Sequence, residues 1–307
     1  MGRSTSRGVQ WGRTPAGVLV PVARFHDITD DSRTSFAAIG EKAADVVRIF
    51  ERAAVSIPPN SGLGRVLAEA RRYPAELLGT LLTCDLEALS IRACWINRIV
   101  DAILTIDGAP GARRVLLELV DGNLDRAGAR RSKAQDTLWE VEVFALLQEA
   151  GLQPTFTDPP DIVVELGGAK IGIACKNLYS SANTRKALSR AVMQVESIFD
   201  LGIAAISTAN LASAETLRAP SLEVAGELAR REVDAFRVAH ERHFAAYLPR
   251  GRIGAAIVAN MRIAEVESGA PKFSSVQEIW IWNDSGLAGD KLRILGEIGK
   301  RIEEHGP

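Results

Sequence analysis

With 307 residues, 47% of them hydrophobic and 24% charged, the chain has the composition of one large or two medium globular domains, which excludes disordered and fibrous classes. A formal net charge of −1 exerts no global pull on nucleic acid or an anionic membrane, so a site for a polyanion has to be a local patch. Three cysteines (Cys84, Cys94 and Cys175) are too few for a disulfide framework and point to a reducing, cytoplasmic setting, and no apolar run reaches the ~18 residues of a membrane span.

Residues 1–34 read as an N-terminal arm. No acid precedes Asp27, while Arg3, Arg7, Arg13 and Arg24 give a loose likeness to a transit peptide, and MGRSTS fits the permissive myristoylation pattern. Residues 35–125 read as an α-helical domain. The segment EKAADVVRIFERAAVSI is predicted to be a helix that ends before Pro58-Pro59-Asn60, and SGLGR at 61–65 reads as a helix entry because no Lys-Ser/Thr follows to make a phosphate loop. Leu86, Leu89, Ala93, Ile96, Val100 and Ile103 recur at helical spacing, and ARRVLLELVDGNL forms a shorter helix after the Gly108–Gly111 break.

From 126 to 307 the pattern is mixed. A helix over KAQDTLWEVEVFALLQEAG stops at Gly151, strands DIVVEL and KIGIAC follow, and then come a helix from Thr184 and the strand GIAAIST. A long charged helix over 221–247, strands RIGAAIVAN and VQEIWIWN, and a terminal helix complete an α/β arrangement.

The hairpin carries the chemistry. A tight turn on Gly167-Gly168 pairs Leu166 with Ala169, and counting back sets Asp161 opposite Ala174 with Lys176 one step along the same face. An acid and a lysine thus meet at one end of an apolar hairpin. Glu140 joins the helical stripe of Val143, Phe144 and Leu147, where a carboxylate needs a cation to offset its desolvation. Lys186, Arg190 and Gln194 align four apart on the following helix, a row that suits a phosphate backbone or a solvated face equally.

Together these residues resemble the PD-(D/E)XK nuclease superfamily, the restriction-endonuclease-like group. WEVEVFALLQEAG is similar to its first-helix motif, Pro160-Asp161 to the PD, Ala174-Cys175-Lys176 to the (D/E)XK, and Gln194 to a helix glutamine common in the family. The likeness covers residues 133–210 and implies a mixed sheet flanked by helices, here preceded by the helical domain. It further implies a Mg²⁺-dependent endonuclease (Mn²⁺ substituting) that acts on DNA as a homodimer, in restriction or phage defence. By the same resemblance Asp161, Glu140 and the Cys175 carbonyl hold metal, and Lys176 positions or deprotonates the attacking water. Lys186, Arg190 and Gln194 contact the nucleic acid. The helical domain is expected to read a sequence, bind a partner protein or pair with a second protomer.

The family pattern wants Asp or Glu at 174, where this chain has Ala. Glu165 lies four residues from Asp161, roughly 13 Å away, and is too distant to substitute. Glu142 is the better stand-in, although Glu140 and Glu142 point about 200° apart on a helix, so only one of them serves. Three explanations stay open: a laboratory Glu→Ala variant, a pseudo-nuclease that only binds, or an active enzyme with a migrated acid. Of the remaining candidates, His240 and His243 read as a solvated helix face, Trp280 and Trp282 as sheet-to-helix core, and Cys175 as a core thiol. Arg113, Arg114, Arg126, Arg130, Arg131 and Lys133 read as a DNA-facing patch or as a solvated segment between domains.

Overall fold

The computed structural model describes residues 10–13, 19–27, 36–73, 86–124, 131–195, 199–212, 216–248, 253–266, 272–283 and 289–305. The first helices are α1 (Phe36–Arg52), α2 (Gly62–Ala70), α3 (Leu86–Thr105), α4 (Ala112–Leu119) and α5 (Lys133–Glu149). Ser61 caps α2, its hydroxyl accepting from the Gly64 N–H at 3.0 Å, so SGLGR is a helix entry. The first helix stops five residues earlier than its sequence predicts. Ala54 takes a left-handed φ of 53°, and the Val55 and Ala54 N–H groups bond back to the Phe50 and Glu51 carbonyls, a Schellman ending built without glycine. Helix α5 ends in the same motif on Gly151, as its sequence indicates.

Strands β3 (Thr155–Phe156), β4 (Ile162–Leu166) and β5 (Ala169–Asn177) lead to α6 (Thr184–Val195), β6 (Leu201–Ser207), β7 (Thr216–Ala219) and α7 (Leu222–Tyr247). Then follow β8 (Ile253–Val266), β9 (Lys272–Asn283) and α8 (Gly289–His305). Residues 1–34, read as an arm, contribute β1 (Gln10–Arg13) and β2 (Leu19–Asp27) to the same sheet. The order is β1-β2-β9-β8-β6-β5-β4-β3, and β7 pairs with the second half of β8. The β5–β6, β6–β8 and β7–β8 pairings are parallel and the others antiparallel, so the protein is mixed α/β, with helices on both faces of a mixed sheet and a helical region before its central hairpin.

One face of the sheet (Ile162, Ile173, Ile203, Ile257, Ile281) shares a continuous core with α1–α5 and α8. The described residues of the helical region are therefore packed on the sheet and share its core: Ile99 and Leu116 belong to the same cluster as Ile173. The opposite face (Ala174, Ala204, Ile206, Val258) packs on α6 and α7 through Leu188, Val192, Phe236 and Phe244. Gly167 and Gly168, with φ of 59° and 80°, close the β4–β5 hairpin in the register the sequence implies, Leu166 opposite Ala169 through Ile162 opposite Ile173. That register fixes which end of the hairpin holds the acid and the lysine.

Candidate functional site

Asp161 sits one residue ahead of β4, which the register sets opposite Ala174. The preceding loop holds it there: the Thr157 N–H donates to the Asp161 carbonyl at 3.0 Å, and the Thr157 hydroxyl to the Pro160 carbonyl at 2.6 Å. Its carboxylate is buried, and Oδ2 accepts from the Cys175 N–H at 2.6 Å. Lys176 Nζ lies 3.3 Å from that oxygen and donates to the Cys175 carbonyl at 2.8 Å. The expected pairing of Asp161 with Lys176 is present, and both ends of the Cys175 peptide take part in it.

Glu140 comes from α5 and is 5% exposed. Its Oε2 accepts from Arg114 Nη2 at 3.1 Å. Burial, and next the negative charge of Asp161, push its carboxyl up to about 7, with Arg114 opposing them. The two carboxylates are therefore near enough to repel, which joins Glu140 to the hairpin site. Arg114 was legible only as one member of a basic stretch. It reaches Glu140 from α4 while its Nη1 holds Glu118 at 3.0 Å, and Glu118 also takes the Thr137 hydroxyl at 3.1 Å and Lys133 Nζ at 3.3 Å. Arg131 pairs with Asp136 at 3.1 Å, so three described cations of that stretch are matched to carboxylates and do not form a free patch; Arg126 and Arg130 lie outside the described residues.

Other expectations change. Glu142 cannot replace the missing acid, because it points to α3, where Arg98 grips it through Nε and, at 2.7 Å, through Nη2. Glu165 sits near the hairpin tip beside Lys170, 3.6 Å away. Ala174 is fully buried against α6 in a cluster with Leu188, Ala191 and Val192. The Cys175 side chain is core on the other face, its thiol pushed well up by burial. Gln194 is not brought to the site. Its neighbour Val195 packs over Gly172 and Gly202 at the strand starts, roughly 13 Å along β5 from Lys176, and the Gln194 Oε1 is buried with no hydrogen-bond partner. Lys186 and Arg190 are exposed on α6, and neither has an ion-pair partner among the described residues.

His240 is not on a solvated face. It is buried on Phe236, its Nε2 is 2.7 Å from the Ser181 hydroxyl, and its Nδ1 is 3.4 Å from that of His243, so it docks α7 onto the segment leading into α6. Trp280 meets Phe244 edge-on at 5.4 Å, as core; the Trp282 side chain lies outside the described set.

Among the described residues no three His, Cys, Asp or Glu side chains gather closely enough to hold a metal ion. What the site offers is two carboxylates, one backbone carbonyl and an adjacent ammonium. That oxygen count suits a hard cation that keeps several of its waters, as Mg²⁺ does. No helix among the described residues is long and apolar enough to cross a membrane. Comparison with protein-family profiles, with curated proteins and with solved structures finds no match.

Proposed function

We infer that the chain is a metal-dependent endonuclease of the PD-(D/E)XK type that hydrolyses DNA phosphodiester bonds, weakened in this sequence by Ala174. The observation that carries the reading is the meeting of Asp161, Lys176 and the Cys175 backbone at one end of the β4–β5 hairpin, with Glu140, from a separate helix, near enough to feel the charge of Asp161. Glu140 fits a divalent cation on electrostatic grounds, since burial and the charge of Asp161 disfavour its ionised form and a cation at its carboxylate would offset both. Mg²⁺, or Mn²⁺ in its place, would be held by Asp161, Glu140 and the Cys175 carbonyl and would supply Lewis acidity at the phosphate. Lys176, fixed between Asp161 and the Cys175 carbonyl, orients the attacking water. The exposed Lys186 and Arg190 on α6 attract the strand electrostatically. Restriction or phage defence is the setting in which the resembled family is often used, and cutting both strands favours a homodimer.

A second reading has its own observation. Ala174 is 0% exposed and fills the apolar cluster under α6, as a residue does at a site that has given up its acid for packing. In that reading the chain binds nucleic acid without cutting it. Calorimetric titration with Mn²⁺ separates the two. The nuclease reading expects saturable binding that Asp161→Asn reduces by at least ~10–100-fold. The binding module expects no Mn²⁺ uptake and a salt-sensitive DNA affinity indifferent to metal.

A further inference from the structure

Among the described residues, Arg114 is the one cation that the helical region delivers to Glu140, and it is built in firmly. Gly111, which starts α4 with a φ of 78°, leaves no room for a side chain: a Cβ there would lie 2.4 Å from the Phe156 carbonyl oxygen. The Phe156 N–H in turn donates to the Pro110 carbonyl at 3.1 Å. Phe156 belongs to β3, which pairs with β4 at Ile162, the residue after Asp161. The start of α4 is thus clamped to the strand pair that seats the acid, so Arg114 keeps a set position relative to Asp161. From below, Glu118 holds Arg114 Nη1, and Thr137 and Lys133 hold Glu118 in turn.

The guanidinium therefore has two unlike partners. Nη1 is on Glu118, which has three donors and no reason to let go, and Nη2 is on Glu140, which the reading above assigns to the metal. Without metal, three carboxylates (Glu118, Glu140, Asp161) face three cations (Arg114, Lys133, Lys176). A divalent cation on Glu140 and Asp161 would tip that balance positive and compete with Nη2 for Glu140. The Arg114 side chain is 27% exposed, so the released edge of its fork has solvent access. Planar guanidinium with spare N–H donors is the group best shaped to take a phosphate oxygen while keeping a carboxylate.

We propose that Arg114 is a phosphate-positioning residue of this site: it neutralises Glu140 in the metal-free chain and, once metal claims Glu140, turns Nη2 to a phosphate of the nucleic-acid strand while Nη1 stays on Glu118. The proposal rests on the nuclease reading and adds a component to it from outside the resembled motif. It gives the helical region a part in the site itself.

The test compares the wild-type chain, Arg114→Gln and Arg114→Lys in two measurements: Mn²⁺ affinity by calorimetry, and affinity for a short DNA duplex in Ca²⁺ over a range of salt. Arg114→Gln is expected to bind Mn²⁺ as tightly as wild type or more tightly, because a competitor for Glu140 is gone. Its log affinity for DNA against log salt should flatten by about one unit, with Arg114→Lys restoring the slope. Arg114→Lys should still bind the duplex roughly tenfold more weakly, since an ammonium cannot serve Glu118 and a phosphate as a fork does. An Arg114→Gln variant with the wild-type salt slope overturns the proposal, as does one that loses Mn²⁺ affinity, which would make Arg114 a mere support for Glu140. If Arg114→Gln does not fold, Arg114→Lys decides, and unchanged duplex affinity overturns the proposal. A wild-type chain that takes up neither Mn²⁺ nor DNA overturns the nuclease reading first and Arg114's part with it; binding of both by wild type with no effect in either variant overturns Arg114 alone.

Discussion

Glu140 and Glu142 stand two apart on α5 and do opposite things. Glu140 meets Arg114 and feels Asp161, whereas Glu142 turns away and forms a two-point pair with Arg98, whose guanidinium also lies 4.8 Å above the Trp95 ring. The Arg98 and Glu142 side chains are 11% and 8% exposed, so removing one partner leaves the other charge in a dry site. Glu142→Gln is expected to cost about 3–5 kcal/mol of stability in denaturant unfolding, with any metal or DNA binding of the folded protein unchanged. A further buried acid, Glu278, lies across the strand pair from Asn260; Glu278 Oε2 and Asn260 Oδ1 are both buried without a hydrogen-bond partner among the described residues. Burial pushes the Glu278 carboxyl from 4.5 up to about 9, with Arg230 opposing and Asp234 adding. The folded chain keeps a proton there that the unfolded chain releases, so this contribution is whole below pH 4.5 and is lost as pH climbs through about 9. Against wild type, Glu278→Gln should be about equally stable near pH 5 and increasingly more stable toward pH 9. The gap should widen by at most ~1.4 kcal/mol per pH unit, read from unfolding curves at each pH.

Between the two parallel strands β5 and β6, helix α6 lies close because Gly172 and Gly202, register partners, carry no side chain beneath Val195. A Cβ on Gly202 would sit 2.6 Å from Val195 Cγ2, and on Gly172 2.8 Å from the Phe199 ring. Gly202→Ala should therefore destabilise by about 1–3 kcal/mol through overpacking, measured by chemical unfolding. The elements also show what a sequence can and cannot disclose. The hairpin was legible because Gly167-Gly168 dictates the turn, the turn dictates the register, and the register brings Asp161 and Lys176 to one end. The end of α1 was not, since Ala54 occupies the left-handed position that glycine usually marks. Strand β2 was hidden by Pro21, which breaks the run LVPVARF on paper. In the sheet Pro21 is the register partner of Trp11 on β1 and lies outside the Arg24–Asp27 stretch that pairs with β9.

At the scale of the molecule, the helical region and the sheet share one core, and that packing brings Arg114 and Glu118 to Glu140. Nothing in local spacing announces a contact across 26 positions; it depends on the clamp of Gly111 and Pro110 against Phe156. The same long-range packing explains why Gln194 misled. Its offset from Lys176 fits a motif, yet α6 runs back toward the starts of β5 and β6 and carries it away from the site. The acid-and-lysine pair needed only a hairpin; the charges around it needed the whole fold. The central claim, that this pair serves phosphodiester hydrolysis, is tested most directly by cleavage of supercoiled plasmid in Mg²⁺ and Mn²⁺ by the wild-type chain and by Ala174→Glu, each with and without Lys176→Ala. The account predicts weak or no cutting by wild type and cutting by Ala174→Glu that Lys176→Ala abolishes. Absence of cutting from a folded Ala174→Glu chain, or cutting that survives Lys176→Ala, would contradict it.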